Sequence, residues 1–253
     1  MEAKWLSRIR FKWNYPYLWA NFLNMKSIHL FSFLALSAGG FFACGSGANS
    51  NEAQGAAVSD STAKVYSVDV ASAKLGWTGS KLTGSSHSGF ISLAEGRFEV
   101  ANGNVVAGSF TVDMNTISNT DLTDAETNSK LVGHLKSAEF FNVDSFKTAT
   151  FVISNAAVAT DSMGNTHSIS GDLTIKGKTR NITFPAKVSI NNGMLNMMAA
   201  FSINRTDWGI KYGSGSFFEG LGDNVINDNI DFTLNFTANA PAEEPVAAAE
   251  ETH

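Results

Sequence analysis

Three histidines inside the central part of the chain, His87, His134 and His167, are the side chains best suited to acid/base or metal chemistry. None has a ligand or catalytic spacing such as H-x-H or H-E-x-x-H, so they read as hydrogen-bonded or surface histidines rather than as a metal centre. His87, in the run SHSGF, is the exception worth following, as a polar group facing a ligand head group. Arg205 and Asp207, two apart in INRTDWG, have opposite charge and share a face if the segment is a strand, and Asp223, Asp228 and Asp231 follow downstream; an ion pair or turn anchor closing the barrel is the expected role and a catalytic pair the alternative. Lys176, Lys178 and Arg180 surround Gly177 and mark a solvated hairpin tip, with a pyrophosphate or an anionic membrane as the alternative partner. Asn181-Ile-Thr183, Asn204-Arg-Thr206 and Asn235-Phe-Thr237 match glycosylation acceptors, but in alternating segments they are polar-face residues. There is no nucleophile elbow and no phosphate-binding loop.

The chain has one cysteine, Cys44, which excludes an internal disulfide framework and a cysteine zinc site. It follows MKSIHLFSFLALSAGGFFA, residues 25–43: a basic start, a short apolar core and a small residue, which is signal-peptide anatomy. The arrangement resembles the lipobox of bacterial lipoproteins, with Phe41 and Phe42 departing from the usual aliphatic and small residues. That resemblance implies cleavage before Cys44, lipidation of its sulfur and amine, and attachment to a membrane of the cell envelope, either periplasm-facing or outer. A secreted form and an uncleaved anchor are the alternatives. Residues 1–24, which carry Trp5, Trp13 and Trp19, precede the methionine of this signal, so Met25 is the expected start and a membrane-interface helix the alternative.

The elements that would carry these residues lie between two low-complexity segments. GSGANSNEAQGAAVSDSTAK, residues 45–64, is a polar tether with a coil reach of roughly 25 Å. APAEEPVAAAEETH, residues 240–253, is an acidic tail expected to be disordered. The organisation is therefore upstream segment and signal peptide (1–43), lipidated cysteine and tether (44–64), folded domain (65–239) and tail (240–253). Without residues 1–43 the chain keeps 13 basic and 22 acidic residues, a net charge of about −9, which disfavours nucleic acid as a partner. A hydrophobic content of 43% and a mean hydropathy near zero suit one globular domain and exclude a polytopic membrane protein.

Within the domain, apolar residues alternate. Ile182, Phe184, Ala186, Val188 and Ile190 share one face, Asn192-Gly193 follows, and Leu195, Met197, Ala199, Phe201 and Ile203 share the next. Period two, an Asn-Gly turn and period two again predict a hairpin. The same holds for Val106, Gly108, Phe110, Val112 and Met114 after Asn102-Gly103, and for Ile230, Phe232, Leu234 and Phe236. One-sided strands predict an antiparallel sheet closed around its own interior, not a parallel sheet covered by helices. Thr123-Asp124-Ala125-Glu126 has capping-box spacing, and Leu131, Val132 and Leu135 continue an apolar stripe, predicting a helix over 124–137 that caps a barrel mouth.

Four segments together resemble the YceI-like family: LGWTGSKLTGSSHSGFISLAEGRFEV (75–100), LKSAEFFNVDSFKTATFVI (135–153), GDLTIKGKTRNITFPAKVSI (171–190) and INRTDWGIKYG (203–213). Lys147 stands where that family usually has proline. The resemblance implies an all-β fold, an antiparallel lipocalin-like β-barrel of about eight strands with one or two short helices, and a long apolar cavity. It also implies a non-enzymatic role, with an isoprenoid, an isoprenoid quinone or another long-chain amphiphile as ligand and no cofactor. Trp77, His87, Phe90, Phe140, Phe141, Phe151, Phe201 and Trp208 are the expected lipid-binding residues, with ordinary core packing as the alternative for each apolar one. Two other classes stay open: an envelope or stress lipoprotein with a filled barrel and a protein partner, and an enzyme acting on the bound lipid through His87, Arg205 and Asp207. Cavity volume separates the filled barrel from the ligand-binding one, and convergence of His87, Arg205 and Asp207 decides the enzymatic class. A homodimer is compatible with all three.

Overall fold

The computed structural model describes residues 63–242. The upstream segment, the expected signal peptide and lipidated Cys44, the expected tether up to residue 62 and the expected tail beyond residue 242 lie outside the described residues. Nine strands follow in order: β1 (Lys64–Val68), β2 (Lys74–Lys81), β3 (Ser86–Ala101), β4 (Asn104–Asn119), then helix α1 (Ala125–Lys136), β5 (Thr148–Val158), β6 (His167–Ile175), β7 (Lys178–Asn191), β8 (Met194–Asn204) and β9 (Ile226–Asn239). Lys64, read as the last tether residue, already belongs to β1.

All pairings between these strands are antiparallel, and the ring runs β3-β2-β9-β8-β7-β6-β5-β4 and back to β3. β1 adds no separate position. It pairs with the second half of β3, Lys64 opposite Val100 through Ser67 opposite Arg97, while β2 pairs with the first half, Leu75 opposite Ile91 through Ser80 opposite Ser86. Both also reach β9. β1 and β2 therefore occupy one position in the wall in succession, and the barrel closes with eight positions, which leaves no long unpaired edge.

Local chemistry accounts for the hairpins. Asn102-Gly103, Lys176-Gly177 and Asn192-Gly193 all hold positive φ at both central residues, the backbone that a tight right-twisted hairpin requires. The two Asn-Gly turns lie at one end of the barrel, the hairpin end. The other end receives α1, the β6–β7 turn and the long β8–β9 connection, and is the helix end.

β-Bulges adjust the alternation. Between β3 and β4 the register shifts at Phe90/Ser92, Leu93/Glu95 and Glu99/Val100. The inner face of β3 consequently passes from Ile91 and Leu93 to Phe98 and Val100, and Val105, not Val106, is the buried residue at the start of β4. β7, β8 and β9 carry the expected faces.

α1 spans nearly the expected residues, but Asp124, not Thr123, caps it, accepting from the Thr127 backbone N–H at 2.9 Å. Glu126 pairs with Lys130 instead of reaching back. Leu135 is the buried residue of the helix and packs into the helix-end core with Trp77, Ile117, Phe140, Ile175 and Trp208. A second core, around Phe98, Ile153, Ile169 and Leu195, fills the hairpin end.

Candidate functional site

Between the two cores lies a chamber of about 90 Å³ lined by eighteen apolar residues and by no polar surface. Six phenylalanines from five strands gird it. Phe236 stacks on Phe110 at 5.7 Å, Phe110 neighbours Phe151 at 6.4 Å, Phe151 meets Phe184 at 5.6 Å, Phe184 stacks on Phe201 at 4.2 Å, and Phe201 faces Phe232 at 5.8 Å. Four of the five contacts sit in the range of about 4.5–7 Å where offset rings attract, and the Phe184–Phe201 stack is slightly closer. Leu75, Ile91, Leu93 and Leu173 complete the wall where β2, β3 and β6 contribute no ring.

Under α1 a second chamber of about 50 Å³ is lined by Trp77, Leu135, Phe140, Ile230 and Arg205 among others. Ile91, Phe141 and Phe232 line both chambers and so stand between them. Arg205 is 1% exposed, and every N–H of its guanidinium is used. Nε donates to Asn227 O, Nη1 to Ile210 O and Tyr212 O, and Nη2 to Ile226 O and to Asp228 Oδ1 at 3.3 Å. Its carbon centre lies 5.6 Å above the Phe140 ring. Burial lowers its pKa and Asp228 opposes the shift. Arg205 is thus a clamp that ties the β8–β9 connection to β9.

The expected pairing of Arg205 with Asp207 is corrected. β8 ends at Asn204, whose side chain caps a 3-10 turn over Arg205–Trp208, and the turn carries Asp207 to the surface while Arg205 goes inward to Asp228. His87 is also corrected as a cavity residue. It lies on the outer wall with Nδ1 2.8 Å from Asp121 Oδ2 and lines neither chamber. Burial pushes the Asp121 carboxyl up, but bonds from the Ser88 N–H, His87 and Asn119 outweigh it and hold the pKa at about 2. Phe90 points outward, 47% exposed, because it is out of phase with Ile91 and Leu93 on β3.

Of the other expected residues, Phe151 and Phe201 line the larger chamber, Trp77 and Phe140 the smaller, and Phe141 both. Trp208 is buried beside them and lines neither; its Nε1–H donates to Leu173 O at 3.0 Å. Phe110, Phe184, Phe232 and Phe236 lay on strand faces recognised as apolar but were not singled out as lining residues. Their signal was phase, since each falls on the inward parity of its strand.

The remaining candidates serve structure. Lys176 donates to Phe140 O at 2.7 Å, and burial, then Lys178, lowers its pKa. His134 packs edge-on to Tyr212 at 4.4 Å. His167 bonds Thr166 at 2.8 Å, with its pKa lowered by burial. Among the described residues, no helix is long and apolar enough to cross a membrane.

Comparison with known proteins agrees with this architecture. The family model of the YceI-like domain matches residues 66–238. Burkholderia cenocepacia BcnA superposes with a TM-score of 0.54 at 20% identity, covering 68% of this chain and 99% of that one. A polyisoprenoid binding domain from Saccharophagus degradans, implicated in plant cell wall breakdown, gives a TM-score of 0.51 at 16% identity, covering 70% and 98%. At these identities the likeness establishes a shared fold. No curated protein matches the chain.

Proposed function

The chain belongs to the family of YceI-like domains, and from that premise we propose that it is a non-enzymatic lipid-binding protein which takes the hydrocarbon part of a long-chain isoprenoid, or of a similar amphiphile, into its barrel. The observation that carries this reading is the phenylalanine girdle around a chamber with no polar surface. Each methylene buried there contributes about 0.8 kcal/mol gross, so a few isoprene units suffice for micromolar binding after association costs. Nothing in the larger chamber pairs with a charge, and in the smaller one Arg205 has no spare donor. A polar head group therefore stays outside, because burying it unpaired costs several kcal/mol.

The larger chamber, about 90 Å³, is smaller than the roughly 150 Å³ cavity that takes up benzene in another protein. A chain of several units enters only as side chains move. This tightness is the observation that favours the second reading, a filled envelope lipoprotein acting through a protein partner. Cys44, with its lipobox-like context, supports placement at a membrane of the cell envelope, where a lipid is taken from or returned to the adjacent bilayer.

Native mass spectrometry and solvent extraction of the full chain purified from its own host test the proposal. A co-purifying isoprenoid or isoprenoid quinone is expected. A barrel that is empty and refuses long-chain lipids in titration overturns it and leaves the filled-barrel reading.

A further inference from the structure

Phe141 differs from every other residue lining the larger chamber. The others stand on strands; Phe141 stands on the connection between α1 and β5 and reaches into the barrel from its cap. Of the three residues shared by the two chambers, Ile91 is held in the wall opposite Leu75, and Phe232 opposite Trp77 and Phe201. Moving either backbone breaks barrel pairing. Phe141 has no such commitment. Its N–H bonds Leu135 O at 3.1 Å, the following Asn142 takes a φ of 50° and bonds Ser137 O, and Lys176 holds the preceding carbonyl of Phe140 at 2.7 Å. The ring is half-buried, and among the described residues its aromatic neighbour is Phe140, edge-on at 5.2 Å.

We propose that Phe141 is the partition that sets how long a chain the barrel accepts. This rests on the lipid-binding reading and deepens it. With the ring in place the interior is two apolar chambers, about 90 and 50 Å³, end to end along the barrel. With the ring displaced they join into one channel running from Phe236 toward Arg205, where the fully bonded guanidinium ends it. A short chain enters as the side chains around the first chamber yield and stays on the near side of Phe141, and a longer one must also move Phe141. The partition therefore costs long chains more than short ones and acts on selectivity by length, with no effect on head-group preference.

The test compares the full chain with Phe141→Ala and Phe141→Trp, each titrated with geraniol, farnesol and geranylgeraniol and read by native mass spectrometry. Phe141→Ala is expected to raise the preference for geranylgeraniol over geraniol about tenfold, since two further buried methylenes already supply that factor. Phe141→Trp is expected to lower the same ratio. If the alanine variant does not fold, Phe141→Leu carries the test in the same direction with a smaller shift. An unchanged ratio in chains that bind overturns the partition and leaves the lipid-binding reading standing. Failure of the unsubstituted chain to bind any of the three alcohols overturns that reading, and the partition with it.

Discussion

His87 Nδ1 and Asp121 Oδ2 meet at 2.8 Å across the outer wall, joining the start of β3 to the segment that leaves β4 toward α1. Asp121 Oδ1 also accepts from the Ser88 N–H at 2.8 Å. The carboxylate is the hub of this junction, and the pair fastens the barrel rim.

Its pH dependence has a definite sign. The folded pKa of about 2 lies below the ordinary value near 3.9, so the unfolded chain binds the proton more readily. The stabilisation is fully present above about pH 4 and is lost as the pH falls through about 2. Asp121→Asn should show a smaller loss of stability than the unsubstituted chain across that interval, measured as urea midpoints in a pH series. Equal slopes would show that other carboxylates dominate acid unfolding.

Arg205→Lys should destabilise strongly although it keeps the charge. The ammonium has three donors and no fork, so the carbonyls of Ile210, Tyr212, Ile226 and Asn227 cannot all be satisfied. Each buried carbonyl left unpaired costs about 1–3 kcal/mol. Chemical denaturation reads the loss; a change under about 1 kcal/mol would mean that water replaces the bonds.

Gly89→Ala should fail in the opposite manner, through volume. A Cβ at Gly89 would lie 1.7 Å from Ser118 O on β4 and 2.9 Å from the Trp77 ring. Backbone must shift to admit it, and overpacking costs about 1–3 kcal/mol or more. The thermal midpoint should fall, together with the fluorescence signature of Trp77 packed against the Ser118 carbonyl. A neutral outcome would show that β3 and β4 separate freely here.

Cys44→Ser should move the protein from the membrane to the soluble fraction without changing what its barrel binds. Fractionation of cells expressing each form checks this. A serine variant that stays with the membrane would identify the segment before residue 44 as an uncleaved anchor, in line with the Phe41-Phe42 departure.

The legible part of the fold was the part written locally. Alternation placed the inner faces of β7, β8 and β9, the Asn-Gly pairs placed two hairpins, and capping-box spacing before an apolar stripe placed α1 within a residue at each end, although Asp124 and not Thr123 is its cap. Val106 and Phe90 were misread for physical reasons. A bulge that inserts one residue changes parity without any mark in composition, and Phe90 was judged by its type instead of its phase. Arg205 does anchor a turn, one of its two expected structural roles, but it does not pair with Asp207, because the strand stops one residue before it and the turn that follows sends neighbouring charges to opposite sides.

The amino-acid sequence by itself determined that this chain makes one-sided antiparallel strands and a capped helix, with the segments of the YceI-like family in order. Pleat, turn and cap are decided by neighbours a few positions apart, and so they can be read in line. Only the tertiary structure decided which inward rings surround empty space and which fill it, that β1 and β2 share one position, and that Phe141 alone reaches the chamber from the cap. A void is what remains after side chains from eight wall positions have met, and no single segment carries that information.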